Sequence, residues 1–175
     1  MISFKSDELK PGNRWENYLM GVIDGFKKRG KEIDGVDCLF SSTIPSGAGL
    51  SSSAALCSGF GFALNEIFHC GLSKIDLALI AQEAEHQFAG TKCGIMDMYA
   101  SLFSQQGSVM LLDCRSNTHE YLPVHFEGFE ILLIDTKVKH SLNDSSYNDR
   151  RAACEDGVKV MQGKFPKIKS FVPKL

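Results

Sequence analysis

From Pro45 to Leu56 the chain reads PSGAGLSSSAAL, and few folds accept that order of residues. Pro45 and Gly47 shape a turn, while Gly47 and Gly49 let backbone approach a ligand with no side chain in between. Ser51, Ser52 and Ser53 then lead into small apolar residues that suit a buried helix from about Ser51 to Phe68. The first turn of such a helix carries unpaired N–H groups and the positive end of the helix dipole. Phosphate is the natural guest of that arrangement, and the hydroxyls can bond its oxygens or a magnesium ion. The plain alternative is a capped core helix after a tight turn, since serine is a favoured N-cap. One serine meets that need, however, and further hydroxyls near a buried helix are costly without partners. The stretch is not a Walker A loop, because no Gly-Lys-Ser/Thr follows, and no Gly-x-Ser-x-Gly nucleophile elbow is present. It also lacks the third glycine of a dinucleotide fingerprint.

The surrounding pattern is mixed. After a turn at Pro11-Gly12, Trp15, Tyr18, Leu19, Val22, Ile23 and Phe26 recur at helical spacing, and Gly30 stops the helix. Val36 to Thr43, VDCLFSST, reads as a strand entering the glycine-serine turn. A second helix, SKIDLALIAQEAEHQFAG, has Ser73 and Asp76 spaced as a capping box and Gly90 as its end. SVMLLDC, EYLPV and FEILLID have strand character, and a last helix begins near Ser145. Helix, strand, two helices, strands and a helix make an α/β chain of the α+β kind, without regular βαβ alternation.

Composition narrows the function. The 175 residues fit one domain, or one and a piece of another. A net charge of -2 provides no field for nucleic acid or an anionic membrane, and no apolar run approaches the ~20 residues of a membrane span. The first residues, MISFKSDELKPG, place charges where a secretory signal needs an apolar run. Six scattered cysteines without a Cys-x-x-Cys pair then read as reduced thiols of a cytoplasmic protein. His69, Cys70, His86 and Cys93 match no standard zinc spacing.

Two carboxylates stand out. Ala81, Ala84 and Phe88 share one helix face, and Glu85 stacks with Ala81 and Phe88, whereas Glu83 points away. Periodicity leaves open whether Glu85 faces inward or lies at the stripe's edge; an inward carboxylate needs a cation or donors. Asp97 sits among Ile95, Met96, Met98 and Tyr99, either as an N-cap or as a reactive acid. Tyr147 reads equally as a packing aromatic or a ligand contact, and Arg150 and Arg151 as a solvated helix face.

PSGAGLSSSAAL resembles the second motif of the GHMP small-molecule kinases, and CGIMDMYASLFSQQGSVMLLDCRS with VKHSLNDSSYNDRRAACE is similar to the galactokinase family. The resemblance implies a two-lobed GHMP-kinase-like fold, incomplete at both ends, with residues 1–128 in the first lobe and 129–175 beginning the second. It implies that Gly47, Ala48, Gly49, Leu50, Ser51, Ser52 and Ser53 wrap the phosphates of ATP, and that Ser53 and Glu85 hold Mg2+. Asp97 would accept or orient the proton of galactose's anomeric hydroxyl, and Gly94 and Tyr147 would contact the sugar. Cys57 and Met98 depart from the family, which usually has Glu and Gln there, and Met98 is expected to remove an amide beside the reacting centre. No part of the chain resembles the family's arginine and Glu-His-x-Asp segment, so these 175 residues alone are expected to be inactive and to expose apolar surface and a sheet edge. Rival readings are a kinase for N-acetylgalactosamine or another hexose, and a non-catalytic sugar and nucleotide sensor. Retention of Ser53, Glu85 and Asp97 together argues against the sensor.

Overall fold

A computed structural model describes residues 2–134 and 145–170. In chain order the elements are α1 (Asn17–Lys28), α2 (Ser52–Ile67), α3 (Lys74–Ala84), a π-helical turn (Glu85–Ala89), α4 (Met96–Phe103), β1 (Ser108–Asp113), β2 (Thr118–Pro123) and α5 (Ser145–Gln162).

The helices follow local signals. α1 buries Tyr18, Leu19, Val22, Ile23 and Phe26, and it ends on Lys27 and Lys28, where cations favour the dipole. Gly30 then takes a left-handed turn with φ of 68°. α3 starts on the expected capping box, with the Asp76 N–H donating to Ser73 Oγ at 3.2 Å and the Ser73 N–H donating to Asp76 Oδ2 at 3.1 Å. Asn65 ties α2 to the start of α3, its Oδ1 accepting from the Leu72 N–H at 2.8 Å.

Two glycines bring α1 onto α3. A Cβ added at Gly21 would lie 2.7 Å from Ala84 Cα, and one at Gly25 would lie 2.8 Å from Ile80. The core these helices share with α2 and α4 contains Val22, Phe26, Leu64, Leu77, Ile80, Met98 and Tyr99, all fully buried. β1 and β2 form an antiparallel hairpin pairing Ser108 with Pro123 through Asp113 with Thr118. It attaches to α4 through aromatic contacts, with the His119 ring 5.7 Å from Tyr99 and 5.0 Å from Phe103.

Several sequence expectations fail for the same reason. Residues 36–43 form no strand, and Leu39 is 99% exposed. FEILLID is likewise unpaired over residues 129–134, while Asp135 lies outside the described residues. A strand exists only against a partner, and among the described residues neither run has one. Trp15 precedes α1 rather than joining its buried face and is 44% exposed. α2 is buried on one side only, with Phe62 and Ile67 facing out. The helix carrying Asp97 starts without a side-chain cap, so Asp97 lies in its first turn and is not the N-cap.

Candidate functional site

The glycine-serine stretch borders a cavity of about 1140 Å³. Gly47, Gly49 and Ser51 have φ of 75°, 76° and 52°, whereas Ala48 and Leu50 are absent from the positive-φ set. Alternation of that kind turns successive N–H groups toward one side and makes a concave anion nest. The Gly49, Leu50 and Ser51 N–H groups find no acceptor among the described residues. No side-chain hydrogen bond caps α2, so the serines are not spent as its cap. A Cβ at Gly47 or Gly49 would meet no protein atom within 4 Å. The left-handed backbone and the open space beyond it, rather than crowding, call for glycine here.

Glu85 also lines this cavity, at the first residue of the π turn and only 5% exposed. Burial raises its carboxyl above the ordinary Glu range and the negative charge of Asp97 adds to this, while hydrogen bonds from Ser53 and Cys93 oppose it. Burial and then the Glu85 charge push the Tyr18 phenol and the Cys93 thiol each up to about 12. Among the described residues no lysine or arginine pairs with Glu85. Glu83, one residue earlier, takes the bidentate pair with Arg29 at 2.9 and 3.0 Å, which confirms that neighbouring acids face opposite ways.

The π turn is held from α1. Asn17 donates to the Phe88 carbonyl at 2.7 Å and to the Gly12 carbonyl at 2.6 Å, while Gly21 admits Ala84 and Phe88. Such one-residue insertions recur at functional sites because they redirect side chains. Spacing alone gave no sign of it, but an asparagine inside an apolar helix face was a signal.

Asp97 is half-buried and stands beside the cavity rather than in its wall. Its charge nevertheless reaches both Glu85 and Cys93. Tyr147 lines the cavity, and its phenol oxygen accepts the Gly94 N–H at 3.2 Å, so these two expected sugar contacts meet. Ser51, Ser52, Ser53, Gly47, Gly49 and Leu50 all line the cavity, whereas Ala48 and Gly94 do not. Cys57 and Met98 are fully buried in the core. The Met98 thioether is therefore part of the packed core. Arg151 is partly exposed, and its Nη1 donates to the Lys92 carbonyl at 2.9 Å.

The donors fit a hard divalent cation in one way. One buried carboxylate and one hydroxyl, Glu85 and Ser53, leave the remaining positions to phosphate oxygens and water, the usual manner of magnesium. No cluster of three or more His, Cys, Asp or Glu suited to a metal exists among the described residues, so the protein supplies no complete cage.

The GHMP kinases N terminal domain matches residues 17–105, just over half of the chain. Galactokinase from Thermotoga neapolitana is 44% identical over 155 residues, which are 89% of this chain and 44% of that protein. Galactokinase from Thermotoga maritima is 42% identical over 90% of this chain and 45% of its own length. The crystal structure of Lactococcus lactis galactokinase complexed with galactose superposes with a TM-score of 0.84 at 31% identity, over 97% of this chain and 44% of that one. This chain thus spans less than half the length of these relatives. With the glycine-serine nest, the π turn and the helices around them all inside the matched segment, the chain belongs to the GHMP kinase family.

Proposed function

We propose that the protein phosphorylates galactose at its anomeric hydroxyl with ATP, in the manner of the galactokinases it resembles. The observation that carries this reading is the contact of Glu85 with Ser53 in the cavity wall, with Asp97 within electrostatic reach. In this reading the Gly47–Ser53 amides and hydroxyls bind the nucleotide's phosphates. Asp97 orients the sugar hydroxyl and takes its proton as that oxygen attacks the γ-phosphorus and ADP leaves. A positioned base contributes about 10²–10⁴ in rate. Tyr147 and the Gly94 segment would bound the sugar. Magnesium, when bound, would neutralise phosphate charge, and Ser53 and Glu85 are the residues to hold it. The transfer is proposed for a protein of the relatives' length, and binding of the nucleotide for the chain described.

Trp15 is the one tryptophan and lines the cavity, so its fluorescence reports occupancy directly. Titration with MgADP should give a saturable change that Ser53→Ala weakens. A flat response, with no binding by equilibrium dialysis, ends the reading. In a protein of the relatives' length, ADP release should require galactose over N-acetylgalactosamine and vanish in Asp97→Asn. Sugar binding without turnover would instead identify a sensor.

A further inference from the structure

The segment from Gly90 to Gly94 joins Glu85 to Asp97, and side chains of α5 hold it. Asn148 Oδ1 accepts the Lys92 N–H at 2.9 Å, and Asn148 Nδ2 donates to the Gly90 carbonyl at 2.9 Å. Arg151 Nη1 donates to the Lys92 carbonyl at 2.9 Å and to the Cys93 carbonyl at 3.4 Å. Tyr147 takes the Gly94 N–H. The rest is closed by the body of the fold: the Thr91 N–H donates to the Glu85 carbonyl at 3.0 Å, and the Cys93 N–H to the Thr91 carbonyl at 2.9 Å. Gln82 and His86 add donors to the Cys93 carbonyl at 3.2 and 2.8 Å. Because a carbonyl only accepts, His86 carries its proton on Nε2.

Every backbone polar group from Gly90 to Cys93 is therefore partnered, in a segment with no secondary structure of its own. Cys93 passes this order on, since its thiol bonds Glu85 while its carbonyl is gripped by Arg151. Arg151 is itself steadied by Glu155 at 2.9 Å, one helical turn away. Tyr147 and Arg151 are four residues apart and share one face of α5. Neither Asn148 nor Arg151 lines the cavity.

We propose that Asn148 and Arg151 are positioning residues that hold the 90–94 segment from α5 and thereby set Glu85 and Asp97 relative to the glycine-serine loop. The role rests on the proposed reading of the site. Loss of either residue frees Lys92 and Cys93 and lets Glu85 drift from Ser53. The penalty falls on binding that uses Glu85, namely nucleotide with magnesium, and spares nucleotide without it.

Two readings on the same samples test this. In the 175-residue chain, Asn148→Ala should speed amide hydrogen exchange at Lys92 by about tenfold, the effect of losing one hydrogen bond. Arg151→Ala should weaken MgADP binding about five- to tenfold, leave ADP with EDTA unchanged, and be partly rescued by Arg151→Lys. Equal weakening with and without magnesium would mark a merely structural role and overturn the proposal, as would unchanged exchange at Lys92. A wild-type chain that binds no MgADP sinks the site reading and this role with it. That outcome differs from failure of the brace alone, in which wild type and variants bind alike.

Discussion

The two loops that meet at the cavity are opposites. In the glycine-serine loop the N–H groups of Gly49 to Ser51 have no acceptor among the described residues, the backbone alternates through left-handed glycines, and α2 has no side-chain cap. In the other loop each backbone polar group from Gly90 to Cys93 is taken, by α3, by the π turn, by α5 or within the loop itself. Open donors facing a solvent-filled cavity bond water until an anion displaces it, whereas donors satisfied by the protein add order whether or not a ligand is present. One loop is built to receive and the other to hold still. Substitutions in the first should therefore move affinity, and those supporting the second should move stability and geometry.

The largest test falls on the acid that the held loop presents. Asp97→Asn, in a protein of the relatives' length, should lower galactose-dependent ADP formation by about 10²–10⁴ while leaving MgADP affinity within a factor of about two. A comparable loss of affinity would place Asp97 in nucleotide binding and erase the division between the loops. Next comes Gly21→Ala, where the new Cβ meets the Ala84 backbone beside the π turn. Overpacking there should cost about 1–3 kcal/mol by urea denaturation, with the slope unchanged. A neutral result would show that the π turn does not depend on that close approach.

Gly49→Val should do the reverse. A β-branched residue at φ of 76° is strained, but its Cβ meets nothing in the protein. MgADP affinity should fall by about tenfold or more as the side chain occupies the nest, against a loss of only about 1–2 kcal/mol in stability. If affinity held, the nest would not be the phosphate site. Glu85→Gln gives the smallest effect and a sign. Burial raises the Glu85 carboxyl, so the native state holds its proton more tightly than the unfolded chain does. That contribution is full below the ordinary Glu range and is lost as pH rises through the raised value. Unliganded Glu85→Gln should therefore be more stable than wild type by on the order of 1 kcal/mol above that window, and equal to it below. A thermal melt series from pH 4 to pH 8 reads this out, and a deficit at high pH would refute it.

What the sequence made legible was local. Ser73 and Asp76, Gly30 and Gly90, and the spacing of Tyr18 to Phe26 announce their helices because caps and periodicity act within a turn or two. Its place on the Ala81 stripe left open whether Glu85 turns inward; the structure buries it while Glu83 pairs with Arg29. Residues 36–43 and 129–134 carry the same β-branched and aromatic signature as β1 and β2, yet among the described residues only the hairpin has a partner in register, from Asp113 with Thr118 five positions on to Ser108 with Pro123. α4 opens on Ile95 with no cap to mark it. The π turn depends on Asn17 and Gly21, nearly seventy residues upstream of Phe88. The brace reads in sequence as a polar helix face because nothing in Asn148 or Arg151 names the distant carbonyls they hold.

The unpaired run at 129–134 has a practical consequence. Phe129, Ile131, Leu132, Leu133 and Ile134 are each at least 66% exposed, in a segment without proline. Six-residue windows of this kind stack readily between molecules into cross-β ribbons, and the nearest charges in sequence are the acidic Glu127, Glu130 and Asp135. Concentrated solutions of the chain should therefore scatter light before dilute ones do, and dilute handling is the condition under which single molecules persist.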